Sequence, residues 1–425
     1  MNVYLDSVGC RLNQSEIESY ARHFRAAGHH LVECADQADL VVINTCTVTA
    51  EAASDSRQKI RQVSRAGASQ IAVTGCWATL NVEAALAMPG VSHVVPNLRK
   101  DHLVTEVLHL PVDHFESGFI ERQPIPGARL RTRAFIKVQD GCDNRCTFCL
   151  TTIARGPGRS RSLTAILAEI RAALAGNSQE IVLSGVHLGS WGHDFTPPSS
   201  LHYLVQSILS ETNPPRLRLS SLEPWDLQAD FFELWRDPRL CRHLHLPLQS
   251  GSAATLRRMA RKITPGAFAS LVEAARAAIP EVAITTDVIT GFPGESETEF
   301  AESAQFIQAV DFAGGHVFSY SARPGTAAAR LPDQVQPPVR KNRNHIVRDI
   351  LKSSAAAYQV RFIGKELTVL WESLTALDDT GWQLSGLSDN CLRITALAPQ
   401  ALWNTLTPVR LTGHNQAGLH GLILE

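Results

Sequence analysis

Apolar residues in the first hundred positions come in short continuous runs: Val3-Tyr4-Leu5, Leu40-Val41-Val42-Ile43 and Ile71-Ala72-Val73. Runs of this length, bounded by polar residues, read as strands buried on both faces. Each is followed by a polar stretch with helical spacing, Asn13 to Ala27, Thr49 to Ala66 and Asn81 to Ala87. Strand alternating with helix predicts a parallel sheet with right-handed crossovers. Residues 111–131 hold three prolines and no clear period, and read as a connecting arm.

The alternation then resumes. Strands are expected at Ala134–Gln139, Glu180–Leu183, Leu217–Ser220, His243–Leu246, Ala283–Ile289 and His316–Tyr320. Helices are expected near Leu163–Leu174, Leu201–Leu209, Leu227–Trp235, Ala267–Ala278 and Glu297–Val310, with a long closing helix near Val339–Phe362. About six such units predict a complete or incomplete β/α barrel with its site at the C-terminal mouth of the strands. Beyond it the pattern shortens to Leu367–Trp371, Gly381–Leu384, Cys391–Ile394, Val409–Thr412 and Leu422–Leu424, separated by turn residues. Five short strands predict a small β-barrel of the kind that binds oligonucleotides. The fold class is therefore α/β, with units over 1–115, 128–358 and 362–425.

Composition adjusts this picture only locally. The 425 residues carry 40 Lys plus Arg against 41 Asp plus Glu, a formal charge of −1, so any nucleic-acid partner must be met by local basic patches. From Lys365 onward there are three basic residues and six acidic ones, which opposes the RNA-binding shape of the last unit. No apolar run reaches the roughly eighteen residues of a membrane span, and the start MNVYLDSVGC lacks the character of a signal peptide. The expectation is a cytoplasmic protein with no membrane partner.

Nine cysteines, an odd number without an export signal, point to metal or redox chemistry rather than disulfides. Cys142, Cys146 and Cys149 form a C-x3-C-x2-C cluster just after the first barrel strand. Structural zinc wants a fourth protein ligand, and the next histidine along the chain is His187. Three close thiolates suit a four-iron cluster with one iron left open. Cys10, Cys46 and Cys76 each follow a strand of the first unit, and parallel strand ends share one ligand-binding edge. Cys34, Cys241 and Cys391 have no partner spacing and read as incidental thiols.

C-x3-C-x2-C with Phe148 before its last cysteine resembles the radical S-adenosylmethionine superfamily. VGCRLNQSE around Cys10, INTCTVT around Cys46 and VTGCWA around Cys76 resemble the N-terminal domain of its methylthiotransferases. Further matches are Ala154-Arg-Gly-Pro-Gly-Arg-Ser-Arg161, His245-Leu-Pro-Leu-Gln-Ser-Gly251, Thr286-Asp-Val-Ile-Thr-Gly-Phe-Pro-Gly-Glu295 and Tyr320-Ser-Ala-Arg-Pro-Gly-Thr326. The last unit resembles the family's TRAM domain. After Cys149, Leu-Thr-Thr-Ile-Ala replaces the commoner Ile-Ile-Pro-x-Ala, a departure confined to the loop.

The resemblance implies two 4Fe–4S clusters: a radical one on Cys142, Cys146 and Cys149, and an auxiliary one on Cys10, Cys46 and Cys76. The first would cleave S-adenosylmethionine to a 5′-deoxyadenosyl radical; the second would carry sulfur for methylation and insertion. Phe148, Gly185 and Glu223 are candidate cofactor contacts, and His187, Arg155, Arg159 and Arg161 candidate substrate or RNA contacts. Arg340, Lys341, Arg343, Arg348 and Lys352 form a basic run on the late helix, and Gly291-Phe-Pro-Gly294 is a tight turn or a ligand contact. Val182-Leu-Ser-Gly-Val-His-Leu-Gly-Ser-Trp-Gly192 and Ser220-Ser-Leu-Glu-Pro224 resemble the branch acting on N6-threonylcarbamoyladenosine of tRNA. That branch implies the anticodon loop, at adenosine 37, as the partner, with a sulfur donor and an electron donor. The alternatives are the isopentenyladenosine or ribosomal-protein aspartate branches, or a non-catalytic iron–sulfur RNA-binding protein.

Overall fold

Leu40–Thr45, buried at every position, is the middle strand of a five-stranded parallel sheet ordered 30–31, 2–7, 40–45, 70–75, 91–95. The computed structural model describes the whole chain except residues 113, 116–122, 124, 127–131, 378–380, 416–417 and 425. Most of the expected arm 111–131 thus lies outside the described residues. Side chains alternate across the middle strand. Leu40 and Val42 join Val3, Leu5 and Phe24 on one face, and Val41 and Ile43 join Ile60, Val73 and Trp77 on the other. Helix Arg11–Ala26 covers the first face and helix Ala50–Arg65 the second. Ser7 is level with Asn44 and Thr45 with Gly75, so three strands end along one edge. The edge strand Val91–Val95 and the two-residue strand His30–Leu31 are too short or too exposed to show in the hydrophobic pattern. The helix expected at Asn81–Ala87 is found as Val82–Leu86, and a second short helix, Cys76–Leu80, precedes it across Asn81.

The second unit holds six parallel strands in sequence order: Arg133–Lys137, Glu180–Ser184, Leu217–Leu219, His243–His245, Ala283–Thr290 and Gly314–Ser319. Bridges Leu217–Leu240 and Ser221–His245 join its two three-stranded halves. Among the described residues no ladder pairs the first strand with the last, so the barrel is incomplete. Its open edge is not bare, because Ser15 of the N-terminal helix accepts the backbone N–H of Lys137 at 3.2 Å. Local chemistry sets the helix starts: Ser162 and Thr264 cap their helices, and Ser296 with Glu299 forms a capping box before Glu297–Val310. The segment expected as helix over Leu227–Trp235 is a 3-10 turn over Ala229–Arg236, whose three-residue period brings Phe232 over Trp235.

Helix Pro337–Val360 buries Arg343, Val347, Leu351 and Tyr358, one stripe at near-helical spacing. It leads into a closed five-stranded barrel ordered 366–377, 381–388, 393–398, 418–423, 406–415, around Val369, Trp371, Leu384, Ile394 and Val409. Cys391, expected in a strand, sits in the preceding turn at φ +64°. No helix among the described residues is long and apolar enough to cross a membrane.

Candidate active site

The shared edge of the first sheet carries Cys10, Cys46 and Cys76. Cys10 stands at the N-terminal cap of helix Arg11–Ala26, its Sγ 3.6 Å from Asn13 Oδ1. Cys46 follows the middle strand, where its backbone N–H donates to Ser56 Oγ and its carbonyl accepts from the same hydroxyl, both at 3.0 Å. Gly9 lies at φ +104°, and a Cβ there would meet Cys46 Cβ and Sγ at 2.5 Å, so only glycine lets the Cys10 loop lie against Cys46. Cys76 opens the helix after Gly75, and Asn97 Nδ2 donates to its Sγ at 3.6 Å and to the barrel carbonyl of Ala154 at 2.8 Å. Burial, with the neighbouring Cys10 and Cys76, pushes the Cys46 thiol up to about 11.

The barrel cysteines ride the loop after Gln139–Asp140. Gly141, at φ +72°, folds it so tightly that a Cβ would lie 1.9 Å from the Pro157 carbonyl, and Cys142 N–H then donates to Gly156 O at 3.1 Å. N–H groups surround the sulfurs: Asn144 N is 3.4 Å from Cys142 Sγ, Thr151 N 3.3 Å from Cys149 Sγ, and Arg261 Nη1 3.8 Å from Cys146 Sγ. Burial raises the Cys146 and Cys149 thiols above their ordinary value.

Between the two sets lies a cavity of about 230 Å³. Its wall includes Thr47 and Cys76 from the first unit and Phe148, Cys149, Asp287 and Tyr320 from the barrel. Arg323, also lining it, reaches across to Thr47 Oγ1 at 2.8 Å and Thr49 O at 3.1 Å. Asp287 Oδ1 and Tyr320 Oη are buried without a hydrogen-bond partner, as groups awaiting a polar ligand would be. Soft thiols fringed by N–H donors fit iron–sulfur clusters, and the open polar atoms fit a polar cofactor beside them. No three His, Cys, Asp or Glu among the described residues converge on a single-ion site; thiolates of a four-iron cluster each serve a different iron and need not converge.

The remaining expectations divide. Phe148 lines the cavity, edge-on to Phe292 at 6.4 Å. Gly185 lies where a Cβ would be 3.2 Å from Gln139. Glu223 is engaged by Arg261, whose Nη1 and Nη2 donate at 3.1 and 2.6 Å. His187 does not face the Cys76–Cys149 cavity. It lines a second, polar one of about 220 Å³ with Asn144, Asp226 and Lys262, and its Nε2 is 2.6 Å from Asp226 Oδ2. Burial alone would lower its affinity for a proton, but hydrogen bonds with Asp226 and Cys142 push it up to about 10.

Of the arginines, Arg155 departs from expectation, while Arg159 and Arg161 keep about a third of their side chains exposed. Arg155 is buried, donating to Asp140 Oδ1 at 2.9 Å, Glu16 Oε1 at 3.3 Å and Asn13 Oδ1 at 2.9 Å, and offers no surface to RNA. Arg161 is held by Lys137 O at 2.8 Å and Glu169 at 2.5 Å. Arg159, more exposed, donates to the Arg155 and Pro157 carbonyls. Of the late basic run, Arg343 is buried against Glu295 and Glu297, while Lys341, Arg348 and Lys352 stay exposed. Gly291 and Gly294, both at positive φ, make a turn closed by Gly291 N–H on Glu295 Oε1 at 3.0 Å. Sequence reasoning missed Asn97, Arg261 and Arg323, whose contacts with Cys76, Cys146 and Thr47 span 21 to 276 residues of the chain. It also missed Lys100, buried against Glu16 and Asp140 where the first unit meets the barrel. For Arg323 the Tyr320–Thr326 motif was a signal; for the others there was none.

Known proteins agree with this architecture. Residues 2–96 match a family described as uncharacterized protein family UPF0004, and residues 136–307 match the radical SAM superfamily. A threonylcarbamoyladenosine tRNA methylthiotransferase of Bacillus subtilis is 33% identical over 96% of this chain and 93% of its own. One of Thermotoga maritima is 35% identical over 87% and 86%. A tRNA-2-methylthio-N(6)-dimethylallyladenosine synthase of Cereibacter sphaeroides is 32% identical over 99% and 98%. The radical S-adenosylmethionine methyltransferase TsrM of Kitasatospora setae shares the fold with a TM-score of 0.57, over 77% of this chain and 76% of its own at 14% identity. Barrel and C-x3-C-x2-C loop together define a radical S-adenosylmethionine enzyme, the class that works with that cofactor and an iron–sulfur cluster. Within the class, the chain belongs to the methylthiotransferase family.

Proposed function

We propose that the protein adds a methylthio group to C2 of N6-threonylcarbamoyladenosine at position 37 of tRNA, using two 4Fe–4S clusters. The observation that carries the reading is the cavity with Cys76 on one wall and Cys149 on the other. Sulfur must be delivered to the carbon that a radical has activated, so both three-cysteine sets need to face one space. When bound, the clusters and S-adenosylmethionine supply the radical, the methyl group and the sulfur. The chain's own residues hold and shield them. Phe148 closes one side, Asp287 and Tyr320 offer polar atoms, and Arg323 ties the wall of the first unit to the barrel. A base must leave its stack to enter such a cavity, which loop nucleotides do at lower cost than duplex ones.

The substrate branch draws support from the His187-Leu-Gly189 pattern and from the threonylcarbamoyladenosine relatives in Bacillus and Thermotoga. The Cereibacter relative makes dimethylallyladenosine derivatives the second reading. Anaerobic reconstitution should give about eight irons per chain, and changing Cys142, Cys146 and Cys149 together to Ala should leave about four. Zinc near one per chain without iron would overturn the cluster assignment. For the substrate, nucleoside mass spectrometry after incubation with tRNA bearing only threonylcarbamoyladenosine should show the methylthio product. Product only on isopentenyladenosine tRNA would favour the second reading and leave the chemistry intact.

A further inference from the structure

Arg261 occupies an unusual place. Its side chain is 2% exposed and is paired with the carboxylate of Glu223. It lies just beyond helix Ala253–Arg258, its backbone N–H on Leu256 O at 3.0 Å. Three contacts fix the guanidinium: Glu223 by two nitrogens, Pro247 O at 2.6 Å, and the Trp225 ring with Cζ 4.4 Å from its centroid. The same Nη1 that serves Glu223 points to Cys146 Sγ at 3.8 Å. Burial would lower its proton affinity, but Glu223 and Cys146 raise it, so the group stays charged.

We propose that Arg261 sets the reduction potential of the cluster held by Cys142, Cys146 and Cys149, with Glu223 as its counter-charge. The inference rests on the reading that those cysteines hold a cluster. Taking up one electron makes a cluster more negative. A cation and N–H donor at a ligating sulfur stabilise that state and raise the potential, and the buried setting strengthens the effect. Glu223, sharing the same nitrogen, withdraws part of that stabilisation. Arg261 is thus a positioning residue that acts through Cys146, and the two side chains must act with opposite sign. A role in packing alone predicts no such opposition.

The test is a dithionite redox titration of the reconstituted full-length chain followed by electron paramagnetic resonance. It is run on the parent chain and on the Cys10→Ala, Cys46→Ala, Cys76→Ala background, which isolates one signal. At the midpoint found for Arg261, R261Q should lower the reduced-to-oxidised ratio about tenfold, equivalent to about 59 mV for one electron. R261K, keeping the charge without the fork, should fall between, and E223Q should raise the ratio. Coincident midpoints, or shifts of one sign in R261Q and E223Q, overturn the proposal. If R261Q fails to hold iron, R261K and E223Q decide by the same signs. Unchanged iron in the Cys142, Cys146, Cys149 triple variant would instead overturn the cluster reading beneath it.

Discussion

Arg155 shows what a side chain's surroundings do to its meaning. In the sequence it belongs to an arginine-rich loop with two glycines, a pattern that suits phosphate. In the fold it stands opposite Glu16 and Asp140 together with Lys100, and those cations hold both carboxyls below the usual carboxylate range although burial alone would raise them. Truncating one member of a buried ion pair leaves the other uncompensated, at a cost of about 3–5 kcal/mol. Arg155→Met should therefore lower the first thermal transition markedly. It should leave the slope of log K against log salt for tRNA binding unchanged, because a buried residue neutralises no phosphate. A slope shallower by about one would restore the RNA-contact reading. The six cysteines and Phe148 stood out in the sequence as candidates because their spacing is local or follows strand ends; Arg261 and Asn97 did not, because what they touch is brought near only by folding.

At the scale of elements, helix Arg11–Ala26 of the first unit and helix Leu163–Ala175 of the barrel meet through Glu169. Glu169 accepts from Arg22 and Arg161, each at 2.5 Å. Burial would raise its carboxyl, but the two guanidinium groups hold it at about 2. A depression of that size corresponds to roughly 3 kcal/mol. Because the folded value lies below the unfolded one, this stabilisation is complete above the ordinary carboxylate range and is lost as pH falls toward the folded value. The gap in urea midpoint between the parent chain and Glu169→Gln should thus be constant near neutrality and close between about pH 4.5 and pH 2. A gap independent of pH would show that Glu169 acts through packing. Most helices and strands of both α/β units were readable from hydrophobic period, whereas the caps Thr49, Ser162 and Ser296 are seen only in the structure. The 3-10 turn at Ala229–Arg236 was not, since its aromatic spacing fits either helix type.

On the scale of the molecule, the C-terminal barrel is held against the β/α barrel by two buried arginines, Arg216 and Arg218, and the half-buried Arg242. Arg216 donates to Leu387 O at 2.9 Å and to Thr368 O. Arg218 reaches Ser388 O and Asp389 O, and Arg242 grips Asp389. Tyr358 and Phe362 fill the core beneath it. Removing residues 365–425 should therefore lower the thermal midpoint of the remaining chain, read by scanning calorimetry; an unaltered midpoint would mean that this seat carries no stability. The barrel's Lys365, Arg393 and Arg410 are each paired, with Glu281, Glu372 and Glu366, so their charge is already balanced within the protein. Alanine at Arg393 and Arg410 together should change the salt slope of tRNA binding by less than one.

The sequence by itself determined the three-part architecture and singled out two groups of three cysteines as candidates, because hydrophobic period, turn chemistry and the position of a residue after a strand are written in neighbouring residues. Only the tertiary structure decided that Cys76 and Cys149 share a cavity, that Arg155 is a buried strut rather than a hand for RNA, and that Arg261 meets Cys146. Those facts join residues 15 to 142 positions apart through burial, and the charge of a side chain acquires its role from the groups that folding places around it.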